Sequence, residues 1–247
     1  PSERRKFLDE LITARLPRFA GTRADYDKVL RQRNTLLKNA RSHRHQENLE
    51  STLRVWDEQL SEHGSHIIHA RLELLAELRP LVLAAYTDLA PDSGETSMEY
   101  RSFLGDEVAM SLEAINSRFN EAIVHARKSE LERGMSLVGP HRDDVLLGLR
   151  SLPAKGYASH GESWSIALAL RLGSYEILRR DLRGGGDPVL ILDDVFAELD
   201  VRRRERLAHA VRSAEQVLIT AAVAQDVPDL LVGQRFDVVR GSESKAS

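Results

Sequence analysis

The sequence predicts an α/β protein in which a mainly parallel sheet with flanking helices follows an antiparallel helical arm. Three observations carry this. Over residues 3–90 the apolar residues recur at helical steps of three and four. Beyond Pro91-Asp92-Ser93-Gly94-Glu95 the pattern changes to short apolar runs that alternate with helical stretches. Within that part, Val189-Leu190-Ile191-Leu192 runs directly into Asp193-Asp194, which reads as a strand buried on both faces with two carboxylates at its C-terminal end.

In the arm, Tyr26, Val29, Leu30, Arg33, Leu36 and Leu37 form one stripe, and Leu53, Trp56, Leu60, Ile67, Leu72, Leu75, Leu78 and Val82 another. Together they predict a helical hairpin that breaks near residues 42–48. Gly64 interrupts the second stripe at a cost of roughly 1 kcal/mol against alanine. After the linker the spacing predicts a strand at 98–104, a helix at 107–133, and strands at 135–138 and 145–149 separated by the polar turn Gly139-Pro140-His141-Arg142-Asp143-Asp144. An amphipathic helix at 163–182, the Asp-Asp strand, a helix at 201–213, a strand at 216–220 and an edge strand at 236–239 complete the series.

Charged residues at 30 % and hydrophobic ones at 42 % suit a folded globular chain. The net charge of -3 conceals an asymmetry, because residues 1–45 hold twelve Lys/Arg against five Asp/Glu. The absence of cysteine excludes disulfides and thiolate metal sites. No apolar run reaches the ~18–20 residues of a membrane span, and no signal peptide is visible. A cytoplasmic protein without a membrane partner is therefore expected. Pro1 stands where a methionine would begin a gene product, as expected for part of a longer protein.

Carboxylates at the C-terminal end of a buried strand lie at the ligand crevice of an open α/β sheet. There Asp193 is the candidate magnesium ligand, as in a Walker B element, and Asp194 the candidate for orienting the attacking water. The same residues could equally be solvated acids or helix caps. Ser159-His160-Gly161-Glu162 has the Ser-x-x-Glu spacing of a capping box, and amides exposed at a helix start attract phosphate. Gly161 lets a ligand approach the backbone. Asp200 before Val201 is a good N-cap. Arg202, Arg203 and Arg204 read as surface or dimer-edge charges. The chain nowhere contains Gly-x-x-x-x-Gly-Lys-Ser/Thr, the phosphate-cradling P-loop.

A capped Ser-x-Gly helix followed by an apolar-Asp-Asp strand matches the signature helix and Walker B of ATP-binding-cassette ATPases, with Ala197-Glu198-Leu199-Asp200 at the place of their D-loop. The chain as a whole resembles the RecF family of bacterial recombination-repair ATPases, relatives of the SMC proteins. The resemblance runs from Arg4-Arg5-Lys6-Phe7-Leu8-Asp9 through Leu30-Arg31-Gln32-Arg33-Asn34-Thr35-Leu36-Leu37 and Trp56-Asp57-Glu58-Gln59-Leu60 to the Gly-Pro-His-Arg turn, the signature and the Asp-Asp strand.

The resemblance implies an α/β head of the ABC/SMC type at 91–247, an inserted helical arm at 1–90, and a P-loop lobe that is not in this sequence. It implies ATP and Mg²⁺ as cofactors, with Asp193 and Asp194 serving one nucleotide. Ser159, Gly161 and Glu162 would meet the γ-phosphate held by the opposite subunit of an ATP-dependent homodimer, with Glu198 and Asp200 at the seam. Thr220, or less directly His141, would stand in for the missing switch histidine. It further implies sequence-independent binding of single-stranded/double-stranded DNA junctions, through Arg4, Arg5, Lys6, Arg31, Arg33 and Lys38. RecO and RecR would be partners in placing RecA during gap repair, replication restart and the SOS response. For the intact protein a weak DNA-dependent ATPase is expected, and little activity without the P-loop. Three alternatives stay open on the sequence: a head half of another SMC-like ATPase, a non-enzymatic DNA- or partner-binding module, and an unrelated α/β metal enzyme.

Overall fold

The computed structural model describes residues 1–42, 49–105, 111–182, 185–239 and 242–245. It forms two compact units, Pro1–Leu83 with Glu95–Ala158, and Ala84–Gly94 with Ser159–Ser247. The division cuts across the boundary expected at residue 90: the segment from Glu95 to Ala158 folds with the arm helices.

In the first unit, helices α1 (Ser2–Arg15), α2 (Phe19–Ser42) and the part of α3 (Leu49–Leu89) up to Leu83 are joined by α4 (Leu112–Arg133). The predicted hairpin is present, since Arg33 of α2 meets Asp57 of α3 and Tyr26 lies beside Gly64, so the two helices run antiparallel. Residues 43–48 of the expected break fall outside the described residues, as do 107–110 at the start of the helix predicted over 107–133. Helix α4 begins after Ser111, whose hydroxyl accepts the Ala114 amide at 3.2 Å, and ends at Gly134 in the left-handed region at φ 68°.

Polar contacts fix how these helices pack. Arg33 is fully buried and donates to Asp57 at 2.8 Å, Glu130 at 2.6 Å and Ser136 at 2.7 Å. Arg71 grips both carboxylate oxygens of Asp9 at 2.8 and 2.9 Å and donates to the Pro140 carbonyl at 2.9 Å. A buried arginine is tolerated where short charge-assisted bonds such as these offset its desolvation.

Strand β1 (Thr96–Arg101) pairs antiparallel with β2 (Asp144–Leu149), from Thr96↔Leu149 to Arg101↔Asp144, and β2 with the short β3 (Leu152–Pro153). A single-turn helix, α5 (Ala154–Tyr157), follows. The strand expected at 135–138 does not form. Side chains take its backbone donors: Asn34 Oδ1 accepts the Ser136 amide at 2.7 Å and Glu130 Oε1 the Leu137 amide at 2.8 Å.

In the second unit, α6 (His160–Asp181), β4 (Leu190–Asp193), α7 (Val201–Val211) and β5 (Val217–Thr220) enclose a core of Leu168, Leu192, Phe196, Leu199, Leu207 and Val211. Strands β4 and β5 are parallel, in register from Leu190↔Val217 to Asp193↔Thr220. They are the parallel pair among the described strands; the edge strand β6 (Phe236–Val239) is one arm of an antiparallel hairpin with β7 (Ser242–Lys245). The expectation that β4 is buried on both faces is corrected. Leu192 faces the core, but Ile191 is 63 % and its neighbour Leu218 48 % exposed.

Candidate functional site

The chemistry-bearing residues of the second unit gather around the C-terminal end of β4. Asp193 closes the strand and Asp194 leaves it with φ 52°, a left-handed conformation that aspartate tolerates better than most residues. The Asp194 amide donates to the Thr220 carbonyl at 3.2 Å and to its hydroxyl at 3.1 Å, while that hydroxyl donates to Asp193 Oδ1 at 2.6 Å. Parallel pairing places Thr220 beside Asp193, so a single threonine orients both acids. Both carboxylates are exposed.

The Ser159 turn has the predicted capping box. Ser159 Oγ accepts the Glu162 amide at 3.2 Å and Glu162 Oε2 accepts the Ser159 amide at 2.8 Å. Gly161 has a neighbour that its sequence reading did not include: any Cβ there would strike the guanidinium of Arg203. Arg203 lies one turn beyond Asp200, which accepts the Arg203 amide at 3.0 Å as the N-cap of α7 and approaches its guanidinium at 3.6 Å. Next to it, Arg204 turns inward and donates to the carbonyls of Phe196 and Leu199 at 2.9 and 2.8 Å, with Asp226 at 2.9 Å. Two of the three arginines read as surface charges are thus half-buried structural contacts, and only Arg202 is exposed. The cap spacing from Asp200 is a signal for the Arg203 amide contact alone. Glu198 approaches His160 Nε2 at 3.5 Å, and the same nitrogen accepts from Trp164 Nε1 at 3.0 Å.

Elsewhere the structure revises the candidates. Arg33 is removed from the DNA-binding set, because it is buried and paired within the first unit. Arg4 makes a two-pronged pair with Asp144 at 3.0 and 2.7 Å, and Arg5 donates to the Asp143 carbonyl at 2.6 Å, so both hold the Gly139–Asp144 turn. Lys6, Arg31 and Lys38 are exposed. His141 has its Nδ1 2.6 Å from the Tyr26 hydroxyl and its Nε2 3.5 Å from the Ser136 carbonyl, and burial pulls its pKa down to about 4. It is a neutral, structural turn residue, and no sensor role is assigned to it. Asp143, accepting from Tyr100 at 2.7 Å, is pushed up to about 6 by burial. Gly139, at φ 132°, leaves room for the Tyr26 hydroxyl, which a Cβ would strike.

Magnesium takes hard oxygen ligands and keeps several waters and phosphate oxygens in its shell. The exposed Asp193 and Asp194 with the Thr220 hydroxyl suit that chemistry. No group of three or more His, Cys, Asp or Glu among the described residues forms a closed metal cage. No helix among the described residues is long and apolar enough to cross a membrane.

No family model matches the chain. It is 56 % identical over 245 residues to the DNA replication and repair protein RecF of Streptomyces avermitilis, covering 98 % of this chain and 65 % of that protein. It is 52 % identical over 253 residues to that of Frankia alni, covering 100 % of this chain and 66 % of the relative. A solved structure of the recombination mediator protein RecF-ATP in the RecFOR pathway matches 100 % of this chain and 63 % of its own, with a TM-score of 0.83 and 26 % identity. The chain thus spans about 65 % of the length of the curated relatives it matches. With more than half of its residues identical to a RecF protein across nearly its whole length, and a RecF fold throughout, the chain belongs to the RecF family.

Proposed function

We propose that this chain is the arm and acid-bearing part of a RecF-type DNA repair and replication ATPase that dimerises on DNA when ATP is bound. The observation that carries the reading is the Asp193–Thr220–Asp194 arrangement at the end of a parallel strand, in a chain 56 % identical to a RecF protein. A bound Mg²⁺-ATP would supply the γ-phosphate that bridges two subunits. Asp193 would hold the metal side and Asp194 would orient water on one subunit, while Ser159, Gly161 and Glu162 of the other would present helix-start amides to the phosphate. Glu198 and Asp200 would lie at the seam. Dimerisation then depends on the nucleotide because the phosphate is part of the interface.

The exposed apolar pair Ile191 and Leu218 supports a working form in which further strands or helices cover that face of β4 and β5. The sequence holds no P-loop, so the phosphate cradle would come from the part of the relatives' length not represented here. DNA contact would fall to exposed cations such as Lys6, Arg31 and Lys38, which bind phosphates without reading bases. RecO and RecR as partners, RecA loading at gapped DNA, replication restart, the SOS response and a cytoplasmic location complete the reading.

The test compares this chain with a polypeptide of full relative length. The chain alone is expected to bind ATP poorly and hydrolyse none. The longer protein is expected to hydrolyse ATP, with Asp194→Asn abolishing turnover. Turnover by this chain alone that Asp194→Asn removes would overturn the assignment of the cradle to another segment.

A further inference from the structure

We propose that Arg203 is a positioning residue that locks the Ser159–Glu162 turn to the segment running from Asp194 to Arg203. This rests on the reading above, in which the turn serves one nucleotide and the Asp pair another. The guanidinium lies directly on Gly161, in space that any side chain at 161 would claim. The guanidinium is paired with Asp200 at 3.6 Å, which also caps the helix that carries Arg203. The segment beneath cannot simply yield, because Arg204 ties the Phe196 and Leu199 carbonyls to Asp226 from the other side.

A flat guanidinium seated on a bare α-carbon, held by an acid from a rigid turn, passes a displacement of either stretch to the other. The turn that would meet the partner's nucleotide and the acids that would hold the chain's own are thereby coupled within one unit. The glycine at 161 then has a cause inside the protein, namely room for Arg203, in addition to any approach of a phosphate.

The obstructing atoms are the tip of a flexible side chain, so Gly161→Ala displaces Arg203 rather than unfolding the helix. Hydrogen–deuterium exchange of peptides covering 159–164 and 196–203 reads the lock in this chain without nucleotide, with thermal unfolding as the control for global stability. Arg203→Ala and Gly161→Ala are each expected to speed exchange in both peptides by about five-fold, the loss of one contact. The double variant is expected to be no faster than either single one. Arg203→Lys keeps a charge for Asp200 but cannot cover Gly161, and is expected to behave as Arg203→Ala. Multiplicative effects in the double variant, or wild-type exchange in Arg203→Lys, would overturn the proposal. Failure of the ATP reading would show separately, as absence of ATP-dependent dimerisation in the unmutated full-length protein.

Discussion

The Thr220 hydroxyl donates to Asp193 Oδ1 at 2.6 Å and accepts the Asp194 amide at 3.1 Å, so one exposed threonine on β5 sets the geometry of both acids on β4. Thr220→Val keeps the shape and removes both bonds. It is expected to cost about 0.5–1.5 kcal/mol in urea unfolding and to lower ATP turnover of the full-length protein with less change in KM, since it disturbs orientation rather than binding. Thr220→Ser is expected to restore both. Unchanged turnover in Thr220→Val would show that the acids hold their positions without it.

Arg33→Met tests whether Arg33 serves the packing of the first unit rather than DNA. It takes the cation from Glu130, which has no solvent exposure, while Asp57 keeps its pair with Arg127. Leaving one buried carboxylate without its cation is expected to cost about 3–5 kcal/mol, whereas Arg31→Ala on the exposed face is expected to change stability by less than about 0.5 kcal/mol. Denaturant unfolding of the two variants side by side checks this; equal stabilities would contradict a buried role for Arg33.

Helix propensity alone says that Gly64→Ala stabilises α3. The packing says the reverse, because a Cβ at 64 meets the ring of Phe119 and lies 3.0 Å from Tyr26 Cε2, both rings being buried. Overpacking of this kind is expected to cost about 1–3 kcal/mol. A rise in Tm for Gly64→Ala would place these rings elsewhere.

His141 supplies a pH dependence with a definite sign. Its folded pKa, about 4, lies below the ordinary value of 6.5, so the folded state prefers neutral imidazole. The stability it contributes is complete above 6.5 and is lost as pH falls toward 4. Asp143, raised to about 6, acts in the opposite direction, its contribution being present at low pH and lost as pH rises through its folded value. Comparing the wild type with His141→Gln removes the Asp143 part. Between pH 7.5 and 5 the wild type is expected to lose about 2 kcal/mol more than the variant. Parallel curves would mean that His141 is not held neutral.

The parts of this fold that depend on neighbours in sequence were legible. The capping box at Ser159–Glu162, the Asp200 cap and the strand ending in Asp193 are all local patterns, and each is where its spacing placed it. Residues whose partners lie far along the chain were not. Arg33 reads as one more cation on a basic helix until Glu130, 97 positions away, is seen to meet it. The stretch at 135–138 has strand-like composition, but side chains from α2 and α4 satisfy its amides. Alternation of strands and helices pointed to parallel pairing, which holds for β4 with β5, whereas β1 and β2 pair antiparallel across the intervening α4. The Arg203 contact on Gly161 depends on the crossing of α6 and the segment after Asp194, and no spacing rule reports that.

On the proposed reading, the Asp pair of one subunit and the Ser159 turn of the other build each ATP site. Mixing two full-length variants, Asp194→Asn and Ser159→Arg, separates a shared site from one built within a single subunit. If the site is shared, a mixed dimer carries both lesions in one site and none in the other. Equal amounts of two inactive proteins should then recover about a quarter of wild-type ATP turnover. Turnover that stays at zero, in a mixture shown to form mixed dimers, would mean that the two subunits do not share each site.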